Sequence, residues 1–382
     1  MNAGLRVALD VSAVPAEPVG AGRYTINLSR ALSALSAGGA ELDLELLARR
    51  NDSARWAAVA PAATCRPVAP KGVGPRLLWG EWGLPHALRR EGDVPGVLHG
   101  PHYTMPARSP VPVVVTVHDT TFHDHPEWHE RSKVLVFRRA LRRAAARADL
   151  VVCVSAPTAE RFVEIYRPSA PVRVIPHGVD HERFAPLEPA PGADLACCRG
   201  LGVPERYVLH LGTIEPRKNL TGVVAAFERL ATADTDLELV LVGREAWGSA
   251  ALDAALRTSP AAGRVRRLGY VRDEALPALL RRACVVVYPA LEEGFGLPAL
   301  EALACGAPLV TSEDSVMAKN AAGAALAVPA RDSGLLAEAI AAVLAGGPEL
   351  ERRRALGLEV AARYSWEASA EAHVAAYQAA AL

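Results

Sequence analysis

The stretch CVVVYPALEEGFGLPALEALACG, residues 284–306, decides how this chain is read. Val285, Val286 and Val287 form an apolar run long enough for one buried strand and too short for a helix. Glu292, Glu293, Gly294, Phe295 and Gly296 break that pattern, and Pro298 sits where a first helical turn tolerates a residue without an amide hydrogen. Leu300, Leu303 and Ala304 then recur at helical spacing, so the order predicted is strand, glycine-bearing loop, helix. The helix start exposes unpaired amides and a partial positive charge, which suit an anion. Glu293 and Glu301 frame the loop with seven residues between them and reach different parts of one ligand. Two acids suit hydroxyl groups better than phosphates, which leaves phosphates to amides and to cations elsewhere. Taken singly, each glutamate also fits a solvated loop acid or an acid complementing a helix dipole.

Such cations stand upstream. The apolar run Tyr207–Leu211 ends in Gly212 and Thr213, and Glu215, Pro216, Arg217, Lys218 and Asn219 precede a helical pattern through Phe227. Two adjacent cations at a helix start supply what a diphosphate needs, charge plus free amides. A further run, Leu239 to Val242, turns at Gly243. In the first half, Leu5–Asp10 alternates like a strand, and Gly20 and Gly22 lead into a helical pattern through Leu35. A Gly-x-Gly alone is also found in plain tight turns and dinucleotide folds. The strong strand Val113–Val117 ends in His118 and Asp119, at the strand end where open α/β sheets bind ligands. There a histidine can donate to a sugar hydroxyl or phosphate oxygen, with Asp119 orienting it.

A chain of 382 residues that is 51% hydrophobic is long enough for two or three domains with full cores. Lys+Arg and Asp+Glu are equal at 42 each, so no overall charge points to nucleic acid. The halves differ, with 23 basic and 18 acidic residues up to Pro186 and 19 and 24 beyond it. The six cysteines show no metal-ligand spacing and read as buried free thiols of a reducing compartment. Neither a signal peptide nor a run of membrane-spanning length is recognisable, so a cytoplasmic protein is expected. The proline-rich, aperiodic stretch after Pro186 reads as a linker.

From Tyr288 to Gly306 the chain resembles the retaining glycosyltransferases of family 4, whose donor-site signature is two glutamates seven residues apart around Gly-Phe-Gly-Leu-Pro. The resemblance implies an α/β chain of GT-B fold, two Rossmann-like domains facing a central cleft with the C-terminal helix crossing back to the first. The boundaries expected are 1–186 for an acceptor-binding domain, joined by helix 366–382, then 187–205 as linker, and 206–365 for a nucleotide-sugar-binding domain. It implies catalytic roles for His118, Asp119, Arg217, Lys218 and Glu293. It also implies donor contacts from Gly20, Gly22, Gly212, Thr213, Asn219, Gly243, Gly294, Phe295, Gly296, Leu297 and Glu301, the last on the ribose. No cofactor and no metal is expected. The donor is a nucleotide diphosphate sugar, GDP-mannose first because the His-Asp and Gly-Phe-Gly-Leu-Pro segments look like those of bacterial mannosyltransferases, with UDP-sugars next. Ala290, in place of a usual serine, and Met317 to Asn320, in place of a usual Pro-Glu pair, depart from the family pattern.

Several readings stay open beside this one. His99, His102, Tyr103, His123 and His125 are weaker acceptor-binding candidates, and Trp56, Trp79 and Trp82 fit either an acceptor site or core packing. Residues 131–147 form a basic amphipathic pattern that suits a lipid-linked acceptor, peripheral contact with the inner face of the plasma membrane, or a solvated helix face. The rival functions are a nicotinamide enzyme, which lacks a full G-x-G-x-x-G here, a GT-B epimerase or phosphorylase, and a non-catalytic sugar-nucleotide binder.

Overall fold

The computed structural model describes residues 4–89, 94–245 and 249–382. The chain forms two compact units, one of Met1–Pro126 with Arg131–Gly178 and Ser365–Leu382, the other of Glu127–Glu130 with Val179–Tyr364.

In the first unit the strands are β1 (Leu5–Asp10), β2 (Leu42–Arg49), β3 (Thr64–Ala69), β4 (Val97–Gly100), β5 (Val113–Val117), β6 (Leu150–Cys153) and β7 (Val172–Val174). They pair in parallel in the order β3-β2-β1-β4-β5-β6-β7. All five residues of β5, VVVTV, are buried, as expected of a strand covered by helices on both faces. In the second unit β8 (Tyr207–Leu211), β9 (Glu238–Val242), β10 (Val265–Gly269), β11 (Val285–Tyr288), β12 (Leu309–Ser312) and β13 (Leu326–Val328) pair in parallel as β10-β9-β8-β11-β12-β13. Each order reverses beside the sheet's first strand, between β1 and β4 and between β8 and β11. Such a reversal opens a crevice at the carboxyl ends of the two strands that flank it.

Helix Ala21–Ala37 buries Tyr24, Leu28 and Leu32 at four-residue intervals, the spacing of one helix face. Against it lies the last helix, Trp366–Ala380, which buries Trp366, Ala370, His373 and Tyr377 on its own stripe. The C-terminal helix therefore belongs to the first unit, as the resemblance implies.

Other expectations need correction. The change of unit falls between Gly178 and Val179, and the stretch read as a linker, 187–205, contains helix Ala193–Gly200. That helix is fixed by Arg281, which meets both carboxylate oxygens of Asp194 at 2.6 and 2.7 Å, a buried bidentate pair. Helix Arg131–Arg147 is present, but several of its cations are structural. Arg138 donates to the Phe122 carbonyl, Arg147 to that of Ala107, and Arg143 to Glu81 and the Met105 carbonyl. Trp56 is fully buried, Trp79 packs on the core and Trp82 is exposed. All six cysteines are free, yet only Cys153, Cys198 and Cys305 are buried. Among the described residues no single helix is long and apolar enough to cross a membrane.

Candidate active site

The loops after β8 and β11 flank the reversal point of the second sheet, and their charged side chains meet. After β8 the chain makes a short 3-10 turn, Pro216–Lys218, and Asn219 takes a left-handed conformation (φ 57°) at the head of helix Leu220–Ala231. The Leu291 amide donates to the Arg217 carbonyl at 2.7 Å, which ties the two loops by their backbones. Arg217 Nη1 then donates to Glu293 Oε2 at 2.7 Å, while its Nε meets Glu215 at 2.6 Å. Lys218 bonds the same Glu293 oxygen and also donates to the Tyr288 hydroxyl at 2.5 Å, its ammonium lying 4.8 Å from the centre of that ring. Arg217, Lys218 and Glu293 are thus brought together, with the acid between the cations. The sequence suggests instead that acids and cations divide a ligand between them.

The electrostatics follow from this packing. Burial pushes the Lys218 pKa down, Arg217 adds to the effect, and Glu293 offsets only part of it. For Glu293 burial acts upward, but Arg217 and Lys218 outweigh it and hold the carboxyl below its ordinary range. Glu215 and Glu293 balance the two cations, so the cluster is neutral as it stands. Tyr288 is the residue that sequence reasoning missed. Its ring stacks on His210 at 5.6 Å, its carbonyl accepts from Thr311 at 3.0 Å, and its hydroxyl fixes Lys218. A hydroxyl-bearing aromatic at the carboxyl end of β11, one residue before Pro289, was the available signal.

The signature loop is built as its sequence predicts. Pro298 lies in the first turn of helix Leu297–Ala304, and Phe295 is buried against Tyr364. Gly296 has φ 86°, and a Cβ there would stand 2.4 Å from Met317 Cγ, so both backbone and space require glycine. Asn320 donates to the Phe295 carbonyl at 2.9 Å. The departing segment, Met317 to Asn320, therefore seats the loop from below. Ala290 is held too, through its carbonyl, by Ser312. Glu301 is buried on the helix, with Tyr288 and Cys305 in its electrostatic reach. Gly243 serves packing, since a Cβ there would stand 1.9 Å from the Gly212 carbonyl oxygen in the turn that continues to Thr213. The Asn219 side chain is used on the Ala330 carbonyl, which leaves its backbone as the part that shapes the cation loop.

In the first unit Gly20, with φ 44°, and Gly22 open helix Ala21–Ala37. His118 follows β5, and its Nε2–H donates to the Pro101 carbonyl at 2.8 Å. Its Nδ1 is then a lone pair, so a neutral His118 accepts from a hydroxyl instead of donating to a phosphate. Burial lowers its pKa, although the Pro101 bond and the Asp119 charge act upward. Asp119 does not orient it by hydrogen bonding. Its Oδ1 accepts from the Thr121 amide at 3.1 Å and hydroxyl at 2.8 Å, at the start of the short helix Thr121–Asp124. His99 is fully buried among Thr116 and Tyr377, and Tyr103 is buried as well, so these two serve packing. Burial drives the His102 pKa down to about 3. His123 and Arg161 both meet Asp124, a surface arrangement beside Tyr166.

With two parallel sheets and a cation–carboxylate cluster at the reversal point of one, the molecule has the build of a sugar-nucleotide enzyme. A family model described as Glycosyltransferase Family 4 matches residues 18–183, and one described as Glycosyl transferases group 1 matches residues 205–346. O-antigen chain mannosyltransferase B of Escherichia coli is 30% identical over 284 residues, 74% of this chain and 74% of that protein. The chain belongs to glycosyltransferase family 4. A second relative is the GDP-mannose-dependent alpha-(1-6)-phosphatidylinositol monomannoside mannosyltransferase of Mycolicibacterium smegmatis. It is 34% identical over 189 residues, 47% of this chain and 48% of that protein. Sucrose-phosphate synthase from Thermosynechococcus elongatus, 22% identical with a TM-score of 0.74 over 98% of both chains, shares the GT-B fold.

Proposed function

We propose that this chain moves a hexose, mannose carried on GDP as the first reading, to an acceptor hydroxyl on a glycan, lipid-linked or small molecule, with retention at the anomeric carbon and without a metal ion. The observation that carries the reading is the contact of Glu293 with both Arg217 and Lys218. The charge of the two cations matches a diphosphate, and the carboxylate between them matches sugar hydroxyls. Donor binding exchanges the partners: phosphate oxygens take the guanidinium and ammonium, Glu293 turns to the sugar, and Glu301 takes the ribose. The amides after Gly294 and the backbone of Gly212, Thr213 and Asn219 complete the diphosphate cradle.

The bond between the anomeric carbon and the phosphate oxygen then breaks, and its electron pair stays with the diphosphate. The acceptor oxygen bonds to the same face of that carbon, and its proton passes to a phosphate oxygen. Arg217 and Lys218 oppose the charge that develops on the leaving group, each contributing about 3 kcal/mol on the scale of a single transition-state donor. His118, through Nδ1, accepts from a hydroxyl of the acceptor. The donor is held by the second unit and the acceptor by the first, in the cytoplasm. Exposed Arg131, Arg139 and Arg142 provide for contact with the inner membrane face.

The name of the mycolicibacterial relative supports GDP-mannose as donor. Thermal-shift titration with GDP-mannose, UDP-sugars and NAD, followed by proton NMR of the product anomer, tests the reading. Stabilisation by GDP-mannose and an α-linked product are expected, whereas stabilisation by NAD alone would overturn it.

A further inference from the structure

Within the first unit lies a cavity of about 240 Å³ that none of the site residues above lines. Its wall is made by the carboxyl ends of β1 and β4, the segment around residues 76–84, and helix Arg131–Arg147. Leu77, Leu84, Leu98, Met105 and Val136 make it apolar, and three guanidiniums face it against the carboxyls of Asp10 and Glu81. These charges are not equivalent. Glu81 receives Arg143 at 2.5 Å through one oxygen and the Ala107 amide at 3.2 Å through the other. Asp10 accepts from the Ser12 amide at 3.0 Å, and burial pushes its pKa up. The guanidinium of Arg76, by contrast, is half-buried and makes no hydrogen bond among the described residues. Desolvation weakens its hold on its proton while the charge of Asp10 acts the other way. Arg139 lines the same cavity, is exposed, and has no ion-pair partner among the described residues.

We infer that this cavity binds the apolar chain of an anionic amphiphile, an acyl or prenyl phosphate in chemistry, whose phosphate is taken by Arg76 and Arg139. An apolar wall with a few convergent polar groups is the usual make-up of a small-molecule site. A free sugar would leave its hydroxyls unpaired against the leucines, at a desolvation penalty. A free phosphate would leave the apolar wall unused. A partly desolvated guanidinium that faces a carboxylate but donates no hydrogen bond to it gains from a phosphate, which it can meet with two parallel bonds. Leu78 and Val136 line the cavity while 66% and 39% exposed, so apolar surface continues outward from it beside the cations of the helix. That combination suits a chain delivered from an anionic bilayer. The role of the amphiphile as acceptor rests on the glycosyltransfer reading, but its binding does not.

The test is calorimetric titration of the full chain with n-decyl phosphate below its micelle concentration, beside decyl maltoside and inorganic phosphate. The same titration is run on Arg76→Gln and on Val136→Trp, which fills the cavity from an exposed position, with thermal midpoints confirming that both fold. Saturable binding of decyl phosphate is expected, weakened at least about tenfold by Arg76→Gln, the scale of one charge-assisted bond, and weakened also by Val136→Trp, which occupies the space of the chain. Decyl maltoside or inorganic phosphate binding as tightly, or both variants binding like the parent, would overturn the inference. A nucleoside diphosphate titrated separately divides the failures. Nucleotide binding without decyl phosphate binding removes the amphiphile site alone, and the converse removes the glycosyltransfer reading alone.

Discussion

The Tyr24 hydroxyl stands 2.8 Å from His373 Nε2, joining the first helix to the last across 349 positions of sequence. The direction of this bond is fixed by its neighbours. His373 Nδ1 lies 2.7 Å from the Ser369 carbonyl, which can only accept, so Nδ1 carries the hydrogen and Nε2 accepts from Tyr24. Tyr24 must in turn accept from the Thr116 hydroxyl at 2.9 Å, Thr116 from His99 Nε2 at 2.8 Å, and His99 Nδ1 from the Tyr377 hydroxyl at 2.8 Å. One directed chain of bonds thus pins the C-terminal helix to β4, β5 and the helix that follows Gly20. It requires both histidines neutral.

Tyr377→Phe removes the donor at the head of that chain and leaves His99 Nδ1 buried without one. The expected loss is about 1–3 kcal/mol of stability, the penalty of an unsatisfied buried polar group. Urea unfolding measures it, and the effect should largely disappear when His99 is replaced together with Tyr377.

Acid should unfold the protein early. Burial lowers the pKa of His373 and of His210 to about 4, and drives those of His99 and His177 well down. A histidine with a folded-state pKa below its unfolded value contributes stability that is present above about pH 6.5 and is lost as pH falls towards the folded pKa. Between about pH 6.5 and 4 the unfolded chain binds more protons, so stability falls by about 1.4 kcal/mol per pH unit for each such histidine. Urea midpoints measured from pH 7.5 to 5 should drop steeply, and a flat profile would show that these rings titrate freely.

Tyr288→Phe takes away the hydroxyl that holds the Lys218 ammonium at 2.5 Å. A hydrogen bond to a charged group is worth about 1.5–3 kcal/mol, so turnover should fall at least about tenfold with the fold kept. Steady-state kinetics beside a thermal melt separate the two effects.

Gly296→Ala puts a Cβ into Met317 on a backbone with φ 86°. The loop must shift, and the Michaelis constant for the donor should rise about tenfold or more, on the scale of 1–3 kcal/mol of local strain. Gly296→Ala combined with Met317→Ala, which removes the collision but not the positive φ, should recover only part of that loss.

The loops were legible because their chemistry is local: a glycine, a proline and a charged pair sit within a few residues of the strand that places them. What escaped reading depends on distant partners. Helix Ala193–Gly200 is short and follows several prolines, and nothing near it announces Arg281, 87 positions away, as the partner of Asp194. Asp119 looked like the partner of His118 by adjacency, yet consecutive residues at a strand end point apart, and Thr121 claims the carboxylate. His373 and Tyr377 did leave a trace. They are the polar rings at i and i+4 on an alanine-rich helix, on one face, and the pairing of that face with Tyr24 and His99 needed the fold. In sequence Met317 and Asn320 stand only as departures from the family pattern, whereas in space both side chains support the signature loop.

Calorimetric titration of GDP into the parent chain, Lys218→Ala and Glu293→Gln tests most directly whether a donor diphosphate takes over the cations that Glu293 occupies. Lys218→Ala should bind GDP at least about tenfold more weakly, the loss of one charge-assisted contact. Glu293→Gln should bind GDP more tightly than the parent, because its competitor for Arg217 and Lys218 has lost its charge, while transferring no sugar. Weaker or unchanged GDP binding by Glu293→Gln would contradict the exchange.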